Sequence, residues 1–473
     1  VKTSVLLLAA VVVAIPCIWG FARWERKGHA LRAVVLLLVL EIAEACLYEN
    51  QDLVPRGLFH PGSGSSQFRL PEIVITLALL GRLVAKKLPK RIGYPALLWT
   101  AFGVWLAIEA VEGYMRGNVH SQIPYEAKAI IYVGGGYALA AGVPARRYVE
   151  AEVFERLARW FGPLALLLDV MTAGHKAYSL HLPLLPLTSF GIMGTDAATM
   201  LAAVGVVALM LEMGKPRRNV WTIVCTVPML ISVVLASQRA ALVGLGASLG
   251  LVLIITLGPT IRHRLTVHSA EAGLALLAVC AIFLAVVLAP AVLHDRPPKI
   301  PFTSTVSSTL NGEGKAESAQ DRLNELNAAE HMIPQHWILG SGLGIEYSYW
   351  APGPNVDFVS ALTEDIYLDL WLRTGLIGLG LFVLAVLVTF GEGFRTWRRD
   401  PDRMIAIFAI ALVAVVLGFL VKGGFESIFE KYRLATMLGV LLGMLRSTAT
   451  SGESTFPLIP VLDEAGRKTD ERV

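Results

Sequence analysis

The chain has 473 residues, 55% of them hydrophobic and 16% charged, with a mean hydropathy of +0.60 and a formal net charge of +4. That composition excludes an ordinary soluble domain, and without basic segments interleaved with aromatics the net charge reads as cytoplasmic anchoring more than as a nucleic-acid surface. An integral membrane protein remains.

A hydrocarbon core about 30 Å thick takes roughly 20 apolar residues per helix, and backbone groups in lipid must be satisfied within the segment. Apolar runs of suitable length centre on residues 4–20, 32–48, 71–86, 94–111, 126–143, 159–173, 195–213, 219–237, 240–258, 271–293, 366–390, 402–422 and 434–446. The expected fold class is therefore all-α, a polytopic bundle of about 12–13 transmembrane helices. The first run leads into RWERKGHALR without a small-residue cleavage site and reads as a helix, not a signal peptide. Cys17, Cys46, Cys225 and Cys280 fall in apolar runs and read as buried small side chains, with no disulfide framework. Glu41, Glu44, Glu109, Glu112 and Asp169 lie within or near spans, where they are expected to face the bundle interior and pair with one another.

Basic residues set the orientation. Arg23, Arg26, Lys27 and Arg32 share one loop; Lys86, Lys87, Lys90 and Arg91 the next; then come Arg146 and Arg147, Lys215, Arg217 and Arg218, Arg262 and Arg264, and Arg395, Arg398 and Arg399. Sparsely basic loops alternate with them, so the basic ones are expected in the cytoplasm and segments 49–70, 174–194 and 294–363 outside it. The chain then divides into an amino-terminal bundle (1–293), an extracytoplasmic loop (294–363), carboxy-terminal transmembrane helices (364–447) and a flexible cytoplasmic tail (448–473).

Loops this long usually carry function or are disordered. Within it, Ser318 followed by Asp321 forms a capping-box pattern, Leu323, Leu326 and Ile333 recur at helical spacing, and Pro334 stands where the helix should end. The spacing predicts a short amphipathic helix that presents Arg322. GSGLG, residues 340–344, follows as a tight turn; it lacks the Gly-Lys-Ser/Thr ending of a phosphate-binding loop.

DRLNELNAAEHMIPQHWILGSGLG, followed after a short stretch by EDIYLDLWLRTGLIGLG, resembles the carboxy-terminal region shared by O-antigen ligases and Wzy-type polysaccharide polymerases. That family shows an Arg-containing helix, a His-Pro-Leu-Leu-Gly-x-Gly-like turn, and His-Asn-x-Tyr-Leu leading into a helix with Gly-x-x-Gly. Its Ser-x-Ser-Arg-like motif at the outer end of a central helix resembles ASQRAALVG, with Arg239. The sequence departs from the pattern at two places. Glu364 and Asp365 stand where the family has His-Asn, and Trp337 follows His336 where it has Pro.

The resemblance implies a multi-pass glycosyltransferase of a bacterial inner membrane, with its active site facing the periplasm or cell exterior. Its donor would be an undecaprenyl-diphosphate-linked glycan, and its acceptor a sugar hydroxyl on a second carrier-linked glycan or on lipid A-core, with membrane lipids around it and no nucleic-acid partner. A guanidinium matches phosphate oxygens, so Arg239 and Arg322 are the candidates for binding and stabilising the diphosphate leaving group. Glu364 is the candidate base. His336 and Asp365 are further substrate-binding candidates.

Each role has a structural alternative. Arg239 could anchor at the interface, Arg322 could be a solvated helix charge, His336 could bond within the turn, and Glu364 could cap its helix. No metal-ligand spacing stands in the sequence, and a diphosphate carries its own activation, so metal-independent transfer without a cofactor is expected. The Glu-Asp replacement leans the reading towards a polymerase, with a ligase as the alternative. A transporter is more distant, because matched interrupted helices in two halves are not found.

Overall fold

In the computed structural model, the residues described are 2–48, 69–86, 93–179, 194–236, 239–257, 316–351, 356–360, 363, 365–429 and 431–449. Fourteen α-helices and one hairpin account for nearly all of them. The first ten are α1 (Lys2–Arg26), α2 (Leu31–Tyr48), α3 (Leu70–Val84), α4 (Tyr94–Arg116), α5 (Gln122–Ala141), α6 (Ala145–Glu150), α7 (Val153–Ser179), α8 (Thr195–Gly214), α9 (Val220–Leu235) and α10 (Arg239–Leu257). There follow α11 (Ala316–Met332), strands β1 (Tyr347–Ala351) and β2 (Val356–Ser360), α12 (Ile366–Arg399), α13 (Arg403–Gly423) and α14 (Tyr432–Ala449).

The predicted runs become helices throughout the described residues; the run 271–293, Cys280 and residues 450–473 lie outside them. By length and composition, α4, α8, α12 and α13 are each long and apolar enough to cross a membrane, and α9 and residues 240–255 are shorter apolar helices. Helix starts follow local chemistry. Asn219 accepts from Trp221 N at 3.1 Å to open α9, and Asp402 accepts from Met404 N at 2.9 Å to open α13. Apolar on every side, α13 is buried continuously from Ile405 to Val416 and forms the axis on which α8, α10, α12 and α14 pack.

Among the described residues, the basic segments 23–32, 146–147, 215–218 and 395–399 converge at one end of the bundle. Arg82 bonds Glu25 at 2.8 Å and the carbonyl of Ala138 at 2.6 Å, while Arg147 donates to the carbonyl of Gly28. Lys215 joins Glu152, Glu155 and Glu212, and Arg446 pairs with Glu392 at 2.6 Å.

Two expectations need correction. Cys46 and Cys225 are buried, but Cys17 is exposed on α1, because a helix on the rim of a bundle turns one face outward. The intramembrane carboxylates do not pair with one another. Glu41 and Glu44 both take Arg69, at 2.9 and 2.7 Å, Glu112 pairs with Arg116, and Asp169 accepts from Ser232 Oγ at 2.9 Å. Two carboxylates repel when ionised, and a cation or hydroxyl donor removes that cost.

Candidate active site

The end opposite the basic loops is organised around a break in α12. At Gly375 the backbone takes φ 64° and ψ −173°, a region open essentially to glycine alone. A break inside an apolar helix strands backbone groups, and each needs a new partner. The segment after α11 supplies them. Ser341 N donates to Leu372 O at 2.9 Å and Gly342 N to Arg373 O at 3.0 Å, while Trp105 Nε1 reaches Thr374 O at 2.8 Å. On the other side of the break, Leu376 N donates to Trp337 O at 2.9 Å and Ile377 N to Ile338 O at 3.3 Å.

GSGLG is a tight turn, as expected, and it is wedged between helices. Gly342 has φ +82° and lies so close to Gly113 of α4 that a methyl there would come within 2.6 Å of the Gly113 nitrogen. Asn118 Nδ2 donates to the carbonyls of Ser341 and Leu343, each at 3.0 Å, and Gly344 N donates to Glu126 Oε2 at 2.8 Å. Glu126 also pairs with buried Arg373, whose Nε bonds Asp369 Oδ1 at 2.8 Å, and Asp369 accepts from Thr363 N at 3.2 Å. One guanidinium thus fixes α5, the turn and the first segment of α12 together.

Gly375→Ala is expected to lower the thermal midpoint and impair activity, because the strained backbone costs about 1–3 kcal/mol and the added methyl meets Ile338 O. Gly380→Ala, in the same helix with open space around it, is the control and should leave both unchanged or raise stability. Equal midpoints for the two variants would contradict the role given to the break.

Helix α11 lies against this assembly. Its backbone is already helical at Ala316, so Ser318 is inside the helix and not its cap; a short 3₁₀ turn, Ile333–Gln335, ends it at Pro334 as expected. Ala329, Ile333, Tyr347 and Leu372 form a small apolar cluster joining α11, β1 and α12. Tyr347 Oη donates to Glu325 at 3.1 Å, and Asn324 Nδ2 donates to Trp350 O at 2.9 Å. Burial and the neighbouring carboxylate of Glu325 push the Tyr347 hydroxyl well above its ordinary range, which keeps it a donor. Tyr347 also stands opposite Ser360 in the antiparallel hairpin, so the turn of α11 that follows Arg322 is tied to the strand leading into α12.

Asp365 caps α12, its Oδ1 accepting from Tyr367 N at 2.7 Å and Leu368 N at 3.1 Å. That end of α12 packs on the end of α13. A methyl at Gly423 would lie 2.9 Å from Ile366, and Tyr367 Oη donates to Leu420 O at 2.9 Å.

Immediately beside this contact is a buried ionic cluster. Lys422 and Lys431 both pair with Glu426, and Lys431 and Arg433 both pair with Asp196, at 3.3 and 3.2 Å. Burial opposes charge on Glu426, yet the two lysines hold its carboxyl below the usual range. Burial likewise disfavours the Lys431 cation, which Asp196 and Glu426 nevertheless hold above its ordinary value. Helix α10 runs antiparallel along α13, with Gly244 against Gly418 and Lys422. Arg239 begins α10 five residues earlier, about 7.5 Å further towards this same end.

The structure therefore gathers the start of α10, the start of α12 and the end of α13, and it ties α11 to the strand that enters α12. The side chains of Arg239 and Arg322, and all of Glu364, lie outside the described residues. His336 is exposed, and its carbonyl accepts from Gly340 N at 2.7 Å within the turn. Asp365 is engaged as a cap. Sequence reasoning missed Glu126, Asp369 and Arg373, as well as Asp196, Lys422, Glu426, Lys431 and Arg433. The signals were present: Asp369 and Arg373 stand four residues apart in an apolar run, and Lys422 interrupts GFLVKGG.

Residues 224–383 match the family profile described as O-antigen ligase. The matched span runs from within α9 to the middle of α12, and includes Arg239, Arg322, His336, Glu364 and Asp365. No curated protein matches the chain.

Proposed function

We propose that this multi-pass membrane protein, through its O-antigen ligase segment, transfers a glycan from undecaprenyl diphosphate to a sugar hydroxyl outside the cytoplasm, without a metal or cofactor. The observation that carries the reading is the family match over 224–383, which takes in the helix starts and the turn gathered at one end of the bundle. In the proposed step the acceptor oxygen attacks the anomeric carbon while the bond from that carbon to the diphosphate oxygen breaks. The leaving diphosphate takes the electron pair, held by Arg239 and Arg322. The hydroxyl proton passes to Glu364, while His336 and Asp365 border the substrate.

The Glu364–Asp365 pair, where the resembled family carries His-Asn, leans this reading towards a polymerase. The description of the matched family favours the second reading, ligation to lipid A-core. Mass spectrometry of the product separates them. A ladder of repeats on one carrier is expected for a polymerase, and a single glycan on lipid A-core would mark a ligase. Recovery of neither product from active membranes would refute both.

The described basic segments meet at the opposite end, and the positive-inside bias supports a cytoplasmic position for that end. In a background without the four native cysteines, Ser348→Cys on β1 should label in intact cells with a membrane-impermeant maleimide, and Arg398→Cys should not. The reverse pattern would overturn the orientation.

A further inference from the structure

Three consecutive large apolar side chains, Trp337, Ile338 and Leu339, stand about half exposed between the end of α11 and the turn. The run they open, WILGSGLGI (337–345), carries no charge. A contiguous apolar patch of this kind marks a surface that something covers. It is continuous with a second patch. Trp337 O and Ile338 O accept from Leu376 N and Ile377 N, so the segment crosses the head of the second part of α12. There Leu376, Val383, Leu384 and Leu387 are exposed at helical spacing, and on a helix long and apolar enough to cross a membrane such a strip faces lipid.

Helix rise gives the depth. Twenty residues separate Gly375 from Arg395, about 30 Å of helix, which matches the hydrocarbon thickness. On α4 twenty residues separate Gly93 from Gly113, again about 30 Å. Gly93 lies against Arg446 at the basic end, and Gly113 against Leu343 of the turn. A tilt of about 20° shortens either distance by only about 2 Å. Both helices therefore put the turn at the hydrocarbon boundary remote from the basic segments, the level that tryptophan favours.

We propose that Trp337, Ile338 and Leu339 form a lipid-facing wedge, seated where headgroups meet acyl chains in the leaflet remote from the basic segments. The occupant is the bilayer, because the patch runs without interruption into the lipid-facing strip of α12 and lies at the level where that strip begins. The segment after α11 is thus held by the membrane as well as by the break in α12. This inference is independent of the glycosyl-transfer reading.

The test is depth-dependent quenching of a bimane label on Ile338→Cys and, separately, on Leu339→Cys. The full chain, without its four native cysteines, is reconstituted in phosphatidylcholine liposomes whose lipids carry a nitroxide at the headgroup, high on the acyl chain or near its end. Both labels are expected to lose emission about twofold or more to the headgroup and upper-chain nitroxides, and less to the deep one. Leu387→Cys, further down the same strip, should respond best to the deep nitroxide. Ser348→Cys, exposed on β1, should respond to aqueous iodide and to no lipid.

Quenching of the 338 and 339 labels by iodide and by no lipid nitroxide would overturn the proposal. Protection from iodide and lipid alike would mark a surface covered by a second copy of the chain or by another segment, and would overturn it too. Strongest quenching from the deep nitroxide would contradict the level assigned. Either label decides alone if the other variant does not insert.

Discussion

Replacing Arg322 or Arg239 with Ala is expected to lower turnover by a factor on the order of 10²–10³, the usual loss when one preorganised contact to developing charge is removed. The leaving group is a diphosphate, and its negative charge grows as the anomeric bond lengthens, so the contact strengthens towards the transition state. The loss should therefore fall mainly on kcat. Lys at either position should recover part of it, because the charge survives and the bidentate fork does not. Folding should be spared at Arg322, since α11 is seated through Ala329 and Ile333 and through Asn324 and Glu325. Near-normal turnover in both Ala variants, inserted at wild-type levels, would remove the two arginines from the mechanism.

Glu364→Gln carries the second large effect. A positioned general base contributes typically about 10²–10⁴-fold, and Gln keeps the shape of Glu without accepting a proton. The competing role for Glu364 is capping α12 at its dipole-favoured end. Asp365 already fills that role by accepting from both Tyr367 N and Leu368 N. Asp365→Asn should accordingly cost stability, about 1 kcal/mol or less, with modest change in turnover. Glu364→Gln should show the reverse, a severe loss of turnover with donor binding and thermal midpoint retained. An active, slightly less stable Gln variant would make Glu364 a cap and leave the base to be found elsewhere.

Partition into lipid is a local property of about 20 residues, so the apolar runs were legible from hydropathy. The break at Gly375 was not. LRTGLIGLG reads as a continuous helix, and the groups that make the break tolerable lie far off in sequence, Trp105 on α4 and Ser341 and Gly342 in the turn. Pairings of buried carboxylates were missed for the same reason. Arg69 reaches back to α2, and Arg373 across to Glu126 on α5, separations that no window of sequence contains. Arg239, Arg322 and Glu364 entered through resemblance, because a lone arginine or glutamate carries no spacing signal of its own. Lys422 was visible as a charge in an apolar run and Glu426 stands four residues on, but Asp196, which shares Lys431, is brought in by α8 only when the bundle packs.

The central claim is that the chain makes a glycosidic bond at the expense of a lipid diphosphate. Purified protein in sealed proteoliposomes, given lipid-linked glycan and acceptor without ATP or an ion gradient, tests it most directly. The account predicts one free carrier diphosphate released for each glycosidic bond formed. Lipid-linked glycan recovered intact on the opposite leaflet, with no carrier released, would contradict it and identify a transporter.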